Sequence, residues 1–230
     1  MNLATFRSRI ARVSGMSSSD ADDLTLIDGW VNDAIEQFNR ETKLNVALAS
    51  MTVTAGSGDY SLDTDILAMQ ALWYAPADSQ SALMIPLAPE TLIQNRLFEG
   101  SQNTPPRYYA LAGGNTLMLW PNPTSSTEKI HVLYVPRHTA LAATADTPAA
   151  TANGNIPVEY HPILEAYAKW EACEAEEHRP SNSGDTFKQE WNQGVAVVRS
   201  EVKRKAGVTL PAVRLGRPRN LPSSPGVDVR

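Results

Sequence analysis

Residues 24–38 read Leu24-Thr25-Leu26-Ile27-Asp28-Gly29-Trp30-Val31-Asn32-Asp33-Ala34-Ile35-Glu36-Gln37-Phe38, and the fold turns on how this stretch is laid out. Leu24, Ile27, Val31, Ala34, Ile35 and Phe38 recur at steps of three and four, which makes one apolar stripe on a helix. Asp28, Asp33, Glu36 and Arg40 fall mostly off that stripe, and Trp30 widens it. Gly29 weakens the helix, and its presence predicts the close approach of a neighbouring backbone. Ahead of the stripe, Ser17-Ser18-Ser19-Asp20 offers side-chain oxygens to cap the first turn. Further back, Leu3, Phe6, Ile10 and Val13 predict a shorter amphipathic helix closed by Gly15.

Downstream the period changes. From about Val46 to Val135 the chain is rich in β-formers, Pro and Gly. Ser50 to Thr54 alternates, Gly56-Ser57-Gly58-Asp59 is a turn, Tyr60 and Leu62 follow it, and Met69 to Tyr74 predicts a strand. Pro89 to Leu97 predicts a short helix with Pro in its first turn. Tyr108 to Ala112, the turn Gly113-Gly114-Asn115 and Thr116 to Trp120 predict a β-hairpin, ended by Pro121-Asn122-Pro123. Ile130, Val132 and Tyr134 alternate with His131, Leu133 and Val135, a strand apolar on both faces and therefore central. Residues 137–156 are Ala/Thr-rich and read as weakly structured.

Helix returns after Pro157. Ile163, Leu164, Tyr167, Ala168 and Trp170 cover one face, with Glu165, Glu171, Glu174 and Glu177 largely on the other. Asp185 reads as the cap of a last helix, whose seam is Phe187, Trp191, Gly194, Val195, Val198 and Val202. Gly207 and four prolines beyond it mark an irregular tail. The fold class is α+β. Residues 1–43 and 158–206 form a helical bundle, residues 44–157 an inserted β-rich, sandwich-like module, and residues 207–230 an extended C-terminal tail.

The charges are unevenly placed. From Lys203 to Arg230 there are seven basic residues against Asp228 alone, a balance of +6, so residues 1–202 carry −11 of a total of −5. An acidic body with a basic, proline-rich tail predicts an acidic partner for the tail, although a merely solvated tail has the same composition. No run approaches the ~20 apolar residues that span a bilayer, and Met1 to Arg7 has no export pattern. Cys173 is the only cysteine, which excludes an internal disulfide and argues for folding in a reducing cytoplasm.

Each arrangement that suggests chemistry has a plainer reading. Gly113-Gly114-Asn115 lacks the Gly-Lys-Ser/Thr of a phosphate loop and lies between strands. His161 and Glu165 share a helix face, but a zinc site needs a further ligand; helix capping or a solvated pair is the reading. Cys173 and His178 lie about 140° apart round a helix and do not meet. Asp63-Thr64-Asp65 lacks the remaining ligands of a calcium loop, and no Gly-x-Ser-x-Gly elbow occurs. The sequence thus predicts no catalytic residue, no metal site and no cofactor, and the protein is not expected to be an enzyme. Lys203-Arg204-Lys205 could neutralise phosphates, yet the tail has no aromatic residue to stack on bases and no groove-reading motif.

Taken in order, several segments resemble the head-to-tail adaptor (connector) proteins of tailed bacteriophages. The helix from Trp30 to Thr42 is similar to that family's early amphipathic helix. Tyr60-Ser61-Leu62-Asp63-Thr64-Asp65-Ile66 resembles a Tyr-x-Leu-Pro-x-Asp stretch, with Asp63 where Pro is usual. Thr104-Pro105-Pro106-Arg107-Tyr108-Tyr109 resembles the family's lead into a hairpin, and Leu117 to Pro123 its Leu-x-Leu-x-Pro-x-Pro ending. Val132-Leu133-Tyr134 and the helix opening Ile156 to His161 complete the series, which covers roughly residues 20–175. The resemblance implies a ring of twelve subunits beneath the portal, in the neck of the virion, joining the DNA-filled head to the tail. The partners it implies are the portal protein, tail or nozzle proteins, further copies of the chain, and genomic DNA passing through the lumen without sequence-specific binding. It also implies a C-terminal segment docked on the portal, here Lys203, Arg204, Lys205, Leu210, Arg214, Leu215, Arg217 and Arg219. The rival functions are a carbohydrate-recognising virion module, which would expose aromatics in one groove, and an envelope-acting hydrolase, which would gather polar groups of perturbed protonation in a cleft. The tryptophans mostly fit core stripes instead.

Overall fold

A computed structural model describes residues 1–75, 81–99, 104–113, 115–175 and 182–205 of the chain. Helix α1 spans Leu3–Ser14; the Asn2 side chain accepts from the Thr5 amide at its start, and Gly15 closes it in the left-handed conformation. Helix α2 spans Ala21–Thr42, with the Asp20 carboxylate capping the amides of Asp22 and Asp23. Ile27, Val31, Ala34, Ile35 and Phe38 are fully buried, as the stripe predicted. Gly29 corrects one expectation: it is exposed, and nothing lies within 4 Å of where its Cβ would be. The glycine therefore serves no close backbone approach here.

Helices α4 (His161–Ala175) and α5 (Asn182–Lys205) complete the bundle. They run antiparallel, since Tyr160 just before α4 meets Glu201 near the end of α5. Leu3, Phe6 and Ile10 of α1, the α2 stripe, Leu164, Ala168 and Ala172 of α4, and Trp191, Val195 and Val198 of α5 form one apolar core. Trp191 lies edge-on to Phe38 (6.1 Å between centroids) and to Tyr167 (4.8 Å). Trp170 and Phe187 stand at its margin, half-buried under Lys188 and Lys169 respectively. The buried face of α4 extends further than its sequence suggests, because Glu165, placed on the outer face by its charge, is buried between Arg9 and Lys169. Asp185 lies inside the first turn of α5, which starts at Asn182, rather than capping it.

Between α2 and α4 the described residues form eight strands in two four-stranded sheets. Sheet A is antiparallel in the order β1 (Ala47–Thr52), β8 (Lys129–Pro136), β3 (Ile66–Ala75), β4 (Ala82–Leu83). Sheet B has the order β2 (Asp59–Ser61), β7 (Thr116–Trp120), β6 (Tyr108–Ala112), β5 (Ile85–Pro86), with β5 parallel to β6. The apolar strand β8 is central, as its two-faced pattern predicted. Leu72, Tyr74, Ile130 and Val132 of sheet A pack on Leu117 and Leu119 of sheet B, the filling of a sandwich. Met118 and Trp120, the alternate residues of β7, face the other way and pack with Leu92 of α3 (Pro89–Glu99). The module is therefore layered sheet A, sheet B, α3. Arg96 fastens the last layer, donating to the carbonyls of Gly58 (2.7 Å) and Leu119 (2.9 Å) and pairing with Asp59 (2.8 Å).

Residues 137–156, weak in sequence, are held by the bundle. Leu141 and Ile156 enter the helical core, and the amides of Leu3 and Ala4 donate to the carbonyls of Asp146 (2.8 Å) and Thr144 (3.1 Å).

Candidate functional site

The basic cluster Lys203-Arg204-Lys205 forms the last turn of α5, and all three side chains are exposed. Cations there complement the negative end of the helix dipole. The turn before them is anchored. Arg199 donates through Nε to the Glu41 carbonyl and through Nη2 to its carboxylate, each at 2.8 Å, and the Tyr160 hydroxyl donates to Glu201 at 2.6 Å. The bond to Glu201, with some burial, pushes the Tyr160 phenol up to about 12. Beneath lie Val198 and Val202 on the core. Since Glu41 belongs to the last turn of α2, the cluster leaves the bundle beside the point where α2 gives way to the β-module. Leu210, Arg214, Leu215, Arg217 and Arg219 lie outside the described residues.

The residues that could have carried chemistry are built into the scaffold. His161 is fully buried; its Nε2 is 3.1 Å from the Ile156 carbonyl and its Nδ1 is 2.6 Å from the Met1 ammonium. A proton on Nε2 satisfies that carbonyl and leaves Nδ1 to accept, which is the neutral imidazole. Burial first, and then the ammonium charge, hold its pKa below the usual histidine range. Burial alone would push the Glu165 carboxyl up, but Lys169 at 2.6 Å and Arg9 at 2.9 Å outweigh it and hold it low. His161 and Glu165 thus face separate partners. Cys173 is half-buried, and His178 lies outside the described residues. The Asp63 carboxylate accepts from the Asp65 amide at 3.2 Å, a local turn. Gly113 has φ +57°, and the Asn115 carbonyl accepts from Leu62, as befits a hairpin end; Gly114 lies outside the described residues. Among the described residues, no three His, Cys, Asp or Glu side chains converge as metal ligands would, and no helix is long and apolar enough to cross a membrane.

Two surface features went unread in the sequence. Arg9, Arg12 and Lys169 surround Glu165, with Ser8, at a polar cavity of about 330 Å³. They come from two helices far apart in the chain, so no local motif marks them. The second is an exposed apolar face on α3, formed by Ile93, Leu97 and Phe98. Its signal was present: a short helix with apolar residues on several sides has a second face to cover.

Among curated proteins none matches the chain. The family model of the SU10 adaptor protein matches residues 1–214, which takes in the bundle, the β-module and the start of the basic tail. The chain belongs to the SU10 adaptor protein family of bacteriophages, and it is accordingly a structural component of the virion.

Proposed function

We propose that this protein is the neck adaptor that forms a ring of twelve copies beneath the portal and joins the DNA-filled head to the tail. The observation that carries this reading is the family match across residues 1–214, on a bundle whose last helix ends in an exposed basic turn. The ring gives the uneven charge a use. Residues 1–202 carry −11, and an acidic lumen lets DNA slide through without being gripped. The basic end of the chain, the last turn of α5 from Lys203 together with Arg214, Arg217 and Arg219 of the tail, docks on an acidic portal surface, where arginine can form paired bonds to carboxylates. Burial of Leu210 and Leu215 adds a part of the binding that salt does not weaken. Tail or nozzle proteins take the opposite end of the ring.

Electron microscopy of the purified protein with and without portal rings tests this directly. Density for an added ring below the portal is expected. Deletion of the residues after Gly207 should abolish co-sedimentation with the portal while leaving the protein folded. Undiminished binding by that truncation would reject the tail as anchor, and a portal with no added ring would reject the neck assignment.

A further inference from the structure

The β-module presents an apolar surface on each of its two opposite sides. On α3, Leu92 is buried against sheet B and Arg96 reaches the same way. That turns Ile93, Leu97 and Phe98 outward, and Leu97 is 76% and Phe98 86% exposed. On sheet A, Ile130 and Val132 face the inter-sheet core, so the alternate positions of β8 and the residues in register with them make the outer face. Leu48, Leu133 and Ala71 lie side by side across three strands, and Trp73 beside Leu83 forms the next row. Leu48 is 65% and Leu83 63% exposed. With the layers in the order sheet A, sheet B, α3, these surfaces lie back to back.

Their charged residues are of opposite sign. The outer face of sheet A carries one cation, Lys129, in register with Thr52, and no carboxylate occupies an outward position of β1, β8 or β4. The outward arc of α3 carries Glu90 with Ile93, Gln94, Leu97 and Phe98, and no cation, because Arg96 is turned inward onto Asp59. Each surface is therefore a poor match for itself and a good match for the other. Pairing like with like would bring two faces of the same sign together, and would stop at a dimer.

We propose that the α3 surface of one copy seats on the outer face of sheet A of the next copy, a head-to-tail junction repeated around the ring. The inference rests on the ring reading above and assigns its subunit interface. A single partner, a second copy of this chain, covers both surfaces, because each junction uses one surface from each of two copies. A head-to-tail contact closes into a ring when its rotation allows.

The test uses two variants in a Cys173→Ser background, Leu97→Cys and Leu48→Cys, one of them carrying a size tag. They are mixed, free and on portal rings, and bridged with a short bismaleimide. Cross-links between unlike variants should exceed those between like variants several-fold, and should exceed those of an exposed control, Ser200→Cys on α5, by a similar margin. A Leu97→Glu variant should associate about 30-fold more weakly than wild type. An excess of like–like pairs, which a back-to-back dimer would give, overturns the proposal. So does a yield no higher than the control, the outcome if the C-terminal segment or a tail protein covers these surfaces. If rings form on the portal but unlike pairs are absent, this interface falls and the neck assignment stands. If unlike pairs form but no ring is seen on the portal, the interface stands and the neck assignment falls.

Discussion

Gly29 and Gly194 both sit in helix interiors, and replacement by alanine should stabilise the protein at the first and not at the second. At Gly29 a new Cβ would enter open space, so Gly29→Ala should stabilise the protein by about 1 kcal/mol, the difference in helix propensity. At Gly194 the same gain is opposed. A Cβ there would lie 2.7, 2.9 and 3.0 Å from Cγ1, Cδ1 and Cγ2 of Ile163 on α4. Those atoms cannot swing aside, because Ile is branched at Cβ and held to essentially one χ1 rotamer in a helix. Over-packing of this kind costs about 1–3 kcal/mol, so Gly194→Ala should be neutral to destabilising, by roughly 0–2 kcal/mol after the propensity gain. In an Ile163→Ala background the opposing atoms are gone, and Gly194→Ala should then stabilise by about 1 kcal/mol. The four proteins of this cycle, with Gly29→Ala as reference, can be compared by urea unfolding followed by far-UV circular dichroism. A coupling of about 1–3 kcal/mol with unchanged m-values is expected. If Gly194→Ala stabilised as much as Gly29→Ala, and equally in both backgrounds, the close α4–α5 packing would be refuted.

Trp191, 3% exposed and edge-on to two aromatic rings, should cost ~3–5 kcal/mol when cut to alanine, read from the same urea curves; no loss would remove it from the core. Because the native His161 pKa lies below its ordinary 6.5, the unfolded chain takes up a proton that the native state refuses, so this group lowers stability as pH falls below 6.5 until the native pKa is reached; an NMR titration should place the imidazole below 6.5. Glu165 acts in a lower window. Its depressed carboxyl contributes stability in full above 4.5, lost as pH falls through the native value, and Glu165→Gln should flatten the stability profile there. Co-sedimentation of the full-length protein with portal rings should fall with added salt and level off above zero, where the apolar contacts of the tail remain.

The helices were legible because a stripe such as Ile27, Val31, Ala34, Ile35 and Phe38 states both the period and the buried face. The hairpin of β6 and β7 was legible from its turn residues. Its surroundings were not: Leu117 to Trp120 are buried on both sides because α3 covers sheet B, and that follows only from layer order. Strands β4 and β5 have two residues each, too few for any alternation. Residues 137–156 lack a period because backbone hydrogen bonds and two anchors, Leu141 and Ile156, hold them. Charge misplaced Glu165, whose partner Arg9 is remote in the chain. Of the basic residues proposed for docking, Lys203, Arg204 and Lys205 form the exposed last turn of α5, and whether they bind a partner rests on the portal experiments. The apolar face of sheet A became visible only once the strand register fixed which residues point outward, and that of α3 once Leu92 and Arg96 fixed its inner side.

The bundle is discontinuous in the chain: α1 and α2 come first, and α4 and α5 only after the whole β-module. On the ribosome the stripe of α2 therefore emerges long before the helices that cover it. Residues 43–160 must be made first, on the order of ten seconds at ordinary elongation rates, with Phe38 and its apolar neighbours lacking their final partners. The β-module pairs strands from its two ends, β1 with β8, so it too closes late. Newly made copies thus pass through a window in which apolar surface is bare and neighbours on a polysome are close. During that window the first half-bundle of one chain can meet that of a sibling before either has completed its own core.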